Sequence, residues 1–69
     1  MTKYLVVIEK TSKNYSAYCP DLPGCAATAS TRREAEKNIK EAIAFHLEGL
    51  RLEQQAIPKH ISEARYIMV

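Results

Sequence analysis

The apolar and polar positions of the chain predict four strands and one helix. Residues 3–10 read Lys-Tyr-Leu-Val-Val-Ile-Glu-Lys, and β-branched residues between charged ends are typical of a strand. Both faces of this segment are apolar, which favours a central place in a sheet that is covered on each side. Residues 15–19, 25–29 and 64–69 have the alternation or composition of further strands. The first strand is therefore predicted to be the centre of the sheet.

The connections between the first three strands predict two reversals of the chain. Residues 11–14 are Thr-Ser-Lys-Asn, a cluster typical of a turn. Residues 20–24 are Pro-Asp-Leu-Pro-Gly, and two prolines within four residues exclude regular strand pairing there. Gly24 is expected to supply a positive φ that turns the chain back. The first three strands are thus predicted to form an antiparallel meander.

A helix is predicted after the third strand. Thr31 and Glu34 fit a capping box, in which the hydroxyl and the carboxylate each accept a free backbone N–H at the start of a helix. The helix is expected to begin at Arg32 and to run to about Gln54. At helical spacing its apolar side chains share one stripe, with Leu47 at the margin and these members: Ala35, Ile39, Ala42, Ile43, His46 and Leu50.

The element order predicts a single α+β domain over residues 1–69. A last strand that returns after the helix by a right-handed crossover lies parallel to the strand before the crossover. In a meander of three strands the first and third run in the same direction, so the last strand can pair in parallel beside the first. The resulting element order is β-β-β-α-β, with one helix on one face of the sheet. The other face has no cover within this arrangement, so we expect the protein to self-associate as a homodimer or tetramer.

The small size of the chain also favours self-association. A domain of 69 residues rarely keeps more than about 3–5 kcal/mol of stability, and many such domains depend on disulfides, a metal or oligomerisation. Cys19, Cys25, His46 and His60 are the only cysteines and histidines, and their spacing does not fit a zinc site. In a reducing cytosol the two thiols are expected to stay free. Oligomerisation is the support that remains.

Charge and hydropathy argue against several classes of function. The chain has ten Lys and Arg against eight Asp and Glu, a net charge of +2, with no basic cluster longer than Arg32-Arg33. Nucleic-acid-binding domains usually gather basic residues on one face and have a pI above about 9. The longest apolar run, residues 4–8, is too short to cross a membrane, and no signal peptide is recognisable. A cytoplasmic protein without membrane association is expected.

No catalytic, metal or cofactor site is predicted. Glu9 and Asp21 are the only acids on or beside the predicted sheet, too few for a two-metal site. Cys19 and Cys25 could face each other across the loop, but two small buried thiols are the favoured interpretation. His46 lies within the apolar stripe with no third residue to orient it as the partner of a nucleophile.

Three segments together resemble the HicB-like antitoxin family, over nearly the whole chain. They are Tyr18-Cys19-Pro20-Asp21-Leu22-Pro23-Gly24-Cys25, Ala29-Ser30-Thr31-Arg32-Arg33-Glu34-Ala35 and Asn38-Ile39-Lys40-Glu41-Ala42-Ile43. The resemblance implies a partial RNase H-like fold, in agreement with the predicted element order. It also implies a role as the antitoxin of a type II toxin-antitoxin system, which neutralises HicA, an mRNA-cleaving toxin, by covering its active site. Within the motifs a structural role is expected for Pro20, Pro23, Gly24, Thr31 and Glu34.

The partner surface is expected to include acidic residues, because a toxin that holds RNA must be basic. Asp21, Glu48 and Glu53 are the candidates. Asp21 is also expected to accept backbone N–H groups of its own turn. Leu22 either packs under the helix or anchors the partner, and both alternatives stay open.

The sequence leaves two alternative functions open. Typical family members carry a carboxy-terminal DNA-binding segment, and the chain stops at Val69, so no direct DNA binding is expected. A solitary homo-oligomer that acts as a protein-interaction module is therefore an alternative. A second alternative is an RNA-binding module that uses the basic residues of the first half of the helix, Arg32, Arg33, Lys37 and Lys40.

Overall fold

Residues 2–69, the part of the chain that the computed structural model describes, form three strands and one helix. The strands β1 (Val7–Lys10), β2 (Tyr15–Tyr18) and β3 (Ala26–Ala29) form one sheet in the order β1-β2-β3, with both pairs antiparallel. The helix α1 (Arg32–Leu52) follows directly. The antiparallel meander and the single helix confirm the α+β prediction.

The register of the sheet separates two faces. Ile8, Ala17 and Ala27 are neighbours across the three strands, and they pack against or within the core beneath α1. Val7, Tyr18 and Ala26 form the adjacent row. Because successive side chains of a strand point to opposite faces, this second row lies on the face away from α1. The one helix within residues 2–69 packs on the opposite face, and the self-association expected from the sequence stays a prediction.

The start of α1 follows the predicted cap with one difference. The Thr31 hydroxyl oxygen accepts the Glu34 backbone N–H at 3.1 Å, as expected. The Glu34 carboxylate, however, accepts the hydroxyls of Ser30 and Thr31, each at 3.0 Å, instead of a backbone N–H. The helix ends at Leu52, two residues before the predicted end, because Gln54 adopts a positive φ of 57°.

The core lies between α1 and the sheet. Leu22 and Ile39 are its largest fully buried side chains. The small side chains of β3 let the helix approach closely, and α1 accordingly packs more against β3 than against the other strands. The buried cluster consists of Ala17, Cys19, Leu22, Cys25, Ala35 and Ile39.

The predicted last strand is absent from the described chain. Residues 55–69 have no regular structure, and the side chains of 64–69 are exposed. The outer edge of β1 is therefore unpaired within residues 2–69, and β2 is the central strand, which corrects the prediction that the first strand is central. Strand composition is a local property, whereas pairing depends on neighbours distant in sequence.

Candidate functional site

The loop of residues 20–24 folds around Leu22. The Leu22 N–H donates to the Cys19 carbonyl and the Cys25 N–H donates to the Leu22 carbonyl, both at 3.1 Å. Gly24 has a φ of +82°, as predicted. Leu22 is fully buried in the cluster that includes Ile39, so it packs under the helix. This corrects its place among the partner-contacting residues, because a side chain without exposed surface cannot anchor a partner.

Asp21 connects this loop to the carboxy-terminal segment. Its Oδ2 accepts the backbone N–H groups of Ile61 and Ser62, each at 3.1 Å, and its Oδ1 accepts the Ser62 hydroxyl at 2.7 Å. The carboxylate thus accepts backbone N–H groups as expected, but from a segment 40 residues away instead of from its own turn. Asp21 and these two residues are called the Asp21 clamp below.

The hydrogen bonds of the clamp favour the ionised carboxylate. The Ser62 hydroxyl is the strongest influence that lowers the pKa of Asp21 below its ordinary value. Partial burial opposes this effect, while the N–H groups of Ser62 and Ile61 and the charge of nearby His60 add to it. Hydrogen bonds to the charged form of a carboxyl lower its pKa because they stabilise the anion. Asp21 is therefore fully ionised at neutral pH.

Tyr4 provides a second attachment for the carboxy-terminal segment. Its hydroxyl donates a hydrogen bond to the Pro58 carbonyl. Partial burial raises the pKa of the Tyr4 hydroxyl, and Cys19 and Asp21 add to this effect. The hydroxyl therefore stays protonated and keeps its role as a donor.

The two cysteines have the properties of core residues. Both Cys19 and Cys25 are buried and free, which confirms the interpretation as buried thiols. Burial raises the pKa of the Cys25 thiol, and nearby Cys19 adds to the effect. A thiol that stays protonated is a poor nucleophile. Within residues 2–69, no three His, Cys, Asp or Glu side chains stand close enough together to hold a metal ion.

A groove runs between the start of β3 and the second half of α1. It encloses about 370 Å³ and is bordered by Gly24, Cys25 and Ala26 on one side and by Ala42, Phe45, His46, Gly49, Leu50 and Glu53 on the other. A Cβ atom built at Gly24 or at Gly49 would meet nothing within 4 Å, so there is empty space in front of both glycines. We call this feature the α1 groove.

Phe45 is the feature of this groove that sequence reasoning missed. The side chain lies at the groove and is 82% exposed. Leu52, seven residues further along α1, is 75% exposed. The signal was present in the sequence, because neither residue falls on the apolar stripe that packs on the sheet.

The predicted acidic residues lie in different places. Glu48 is exposed and forms an ion pair with Arg51 at 3.1 Å. Glu53 caps the end of α1, accepts a hydrogen bond from the Gln55 side chain at 3.3 Å, and borders the α1 groove. Asp21 is engaged in its clamp. Of the three predicted residues, the structure therefore places Glu48 on the second half of α1 and Glu53 at its carboxy-terminal cap, whereas the Asp21 carboxylate forms hydrogen bonds within the chain.

The basic residues of the first half of α1 do not form a separate site. The Arg32 guanidinium lies over the Tyr15 ring, 6.0 Å from its centroid, which is within the range of a cation–π contact. Arg33, Lys37 and Lys40 are exposed, and Glu34, Glu36 and Glu41 are interleaved with them. Opposite charges at this spacing reduce the positive field of the surface.

No helix within residues 2–69 combines the length and the apolar character needed to cross a membrane. The polar outer face of α1 is that of a helix lying on a sheet, which is the arrangement observed.

The fold is shared with a solved toxin-antitoxin structure. A chain in the HicA3 and HicB3 toxin-antitoxin complex superimposes with a TM-score of 0.71 at 33% sequence identity, covering 87% of this chain and 70% of that one. The model of the HicB_like antitoxin of bacterial toxin-antitoxin system matches residues 4–68. The chain therefore belongs to the HicB-like antitoxin family, which confirms the resemblance drawn from its sequence motifs.

Relatives occur in a phage, a cyanobacterium and an archaeon. An uncharacterized 14.9 kDa protein of Haemophilus phage HP1 is 41% identical over 64 residues, 93% of this chain and 48% of the relative. A UPF0150 protein of Synechocystis sp. is 44% identical over 57 residues, 81% of this chain and 72% of the relative. A UPF0150 protein of Thermoplasma acidophilum is 40% identical over 62 residues, 88% and 90% respectively. The chain thus spans about half of the phage relative but most of the archaeal one.

Proposed function

We propose that this protein is an antitoxin that binds a HicA-type, mRNA-cleaving toxin and neutralises it by covering its active site. The observation that carries the proposal is the structural match to a chain of the HicA3 and HicB3 complex over 87% of this chain. The two chains are also identical at 33% of the aligned positions, so they share part of their sequence as well as the fold. The match of the family model to residues 4–68 supports the same conclusion.

The chemistry of the described residues suits a binding role. Occlusion of an active site needs a rigid surface and no reactive group of its own. The most reactive candidates of the sequence are engaged structurally, since both thiols are buried and the Asp21 carboxylate holds the carboxy-terminal segment. A toxin that cleaves mRNA acts in the cytoplasm, where we also place this protein.

Self-association is part of the proposal. The row of Val7, Tyr18 and Ala26 lies on the sheet face away from α1, and Tyr18 is 40% exposed. Tyrosine is enriched at protein interfaces because its ring is apolar and its hydroxyl is polar. A homodimer or tetramer that buries this face leaves the outer side of α1 outside the contact, while Ala26 borders both this face and the α1 groove. The proposal assigns this domain no contact with DNA.

The first test is a pull-down of the tagged full chain from its own host, with the captured proteins identified by mass spectrometry. We expect a small, basic, HicA-type protein in near-stoichiometric amount. Expression of that protein alone is then expected to arrest growth, and coexpression of this chain to restore it. Recovery of the bait alone contradicts the antitoxin proposal and supports the solitary homo-oligomer instead.

A further inference from the structure

We infer that the partner binds along the α1 groove, with Phe45 as the apolar anchor and the acidic second half of α1 facing a basic protein surface. The inference rests on the proposed function and adds the surface of this chain that makes the contact. It is carried by three observations, which concern exposed apolar area, the shape of the groove and the distribution of charge along the helix.

Two large apolar side chains, Phe45 and Leu52, are exposed on one flank of α1, while most of the other exposed large apolar side chains lie in the carboxy-terminal segment, residues 57–69. Phe45 and Leu52 are seven residues apart, so they lie nearly in line, two turns apart on the same side of the helix. They are 82% and 75% exposed, whereas Ile39 on the packed stripe is 1% exposed. Single exposed apolar residues are ordinary, but large ones that share a flank indicate a contact surface.

The groove provides a complementary shape beside Phe45. Its two glycines, Gly24 and Gly49, face open space, and most of the remaining border is apolar, including Cys25, Ala42 and Leu50. A volume of about 370 Å³ is enough to receive one or two apolar side chains. A few side chains that become fully buried in well-packed pockets carry most of the affinity of an interface, and Phe45 beside this groove has the position for such a contact.

The charge of α1 changes sign along its length. Residues 32–40 contain four basic and two acidic side chains, whereas residues 41–53 contain three glutamates and one arginine. The three glutamates, Glu41, Glu48 and Glu53, accompany Phe45 and Leu52 through this half. The negative end of the helix dipole lies there as well, which favours cations nearby. This half of the helix is therefore complementary to a surface that holds phosphates, although the whole chain carries +2.

The ion pair of Glu48 with Arg51 does not prevent such a contact. The two side chains are 53% and 73% exposed, and exposed ion pairs contribute little to stability. Glu48 can therefore exchange Arg51 for a lysine or arginine of the partner at small cost.

The test measures binding of the toxin-type protein recovered in the pull-down to purified full-length variants by calorimetry. Phe45→Ala is expected to weaken binding about ten-fold or more. The double change Glu41→Lys and Glu48→Lys is expected to weaken it further and to reduce its dependence on salt. Tyr66→Ala and Glu63→Lys are the matched controls, because they alter an exposed aromatic and an exposed glutamate outside α1, and both are expected to bind as the wild type does.

The outcomes separate this inference from the proposed function. If the wild-type chain binds and neutralises the toxin while Phe45→Ala binds equally well, the docking surface is wrong and the antitoxin role stands. If the wild-type chain recovers no toxin, both fail. If Phe45→Ala instead changes the oligomeric state in sedimentation while toxin affinity is unaltered, a second copy of the chain occupies the groove and the inference is overturned. Thermal unfolding of each variant verifies that it is folded.

Discussion

The Asp21 carboxylate and Ser62 are joined by two hydrogen bonds across 41 positions of the chain, one from the Ser62 hydroxyl at 2.7 Å and one from its backbone N–H at 3.1 Å. The loop that closes the second hairpin thereby also fixes the irregular segment that follows the helix. Charged acceptors form the stronger hydrogen bonds in proteins, so the hold on Ile61 and Ser62 depends on the charge of Asp21, whereas Tyr4 attaches the same segment at Pro58 through a neutral hydroxyl.

Asp21→Asn is expected to release the carboxy-terminal segment without unfolding the core. The amide keeps the shape of the carboxylate but loses its charge and one acceptor oxygen. Amide hydrogen exchange, measured by NMR, should become faster at Ile61 and Ser62 and stay unchanged at Leu22. Ser62→Ala, which removes only the shortest bond, is expected to give an intermediate effect. Unchanged protection of Ile61 and Ser62 in Asp21→Asn would contradict the clamp.

Acidification is expected to open the same clamp. The pKa of Asp21 is lower in the folded protein than its ordinary value of 3.8. A lowered folded-state pKa means that the contribution of the carboxylate is fully present above the ordinary value and is lost as the pH falls through the folded value. The Ser62 amide resonance should therefore titrate at a pH below 3.8. In Asp21→Asn this titration should disappear, and its persistence would assign it to another group.

Ile39→Ala is expected to destabilise the domain severely. Ile39 is 1% exposed at the centre of the core, and truncation of a buried isoleucine costs about 2–5 kcal/mol. Since a domain of this size keeps about 3–5 kcal/mol, much of the variant should be unfolded at 37 °C. Phe45→Ala on the exposed flank is the matched control, expected to change stability by less than about 0.5 kcal/mol. A similar thermal midpoint for both variants would show that the packed face of α1 is assigned incorrectly.

Substitution by alanine is expected to have opposite effects on the stability of the domain at Gly24 and at Gly49. A methyl group added at either position would meet no atom within 4 Å, so backbone conformation alone decides the outcome. Gly24 has a φ of +82°, where an L-residue is strained, and Gly24→Ala should destabilise by about 1–2 kcal/mol. Gly49 lies within α1, and Gly49→Ala should stabilise by up to about 1 kcal/mol. Denaturant titrations of the two variants measure both changes. A Gly24→Ala variant that is as stable as the wild type would contradict the turn geometry.

The features predicted from the sequence are those that local chemistry determines. The turn before β2, the positive φ of Gly24 and the Thr31 cap each depend on residues within a few positions of one another. The helix boundaries were correct at the start and two residues too long at the end, where the positive φ of Gln54 has no strong sequence signal.

The features that could not be predicted depend on distant neighbours. Nothing near Asp21 in the sequence indicates that its donors come from residues 61 and 62. Residues 64–69 have the composition of a strand, but they do not pair within the described chain. For Leu22 the sequence left a buried and an exposed alternative, and only the position of α1 above the loop decides between them.

The Asp21 clamp also fixes the point from which the last residues of the chain, 63–69, extend. Seven residues follow Ser62, up to and including Val69, and an extended chain of that length reaches about 25 Å. A label or binding module attached after Val69 would therefore lie within about 25 Å of Ser62, which is bound to the loop of residues 20–24 through Asp21. Two binding groups joined by a short flexible linker meet at effective concentrations in the millimolar range. A weak ligand joined there would be held close to the domain, and its apparent affinity would depend on whether Asp21 carries its charge.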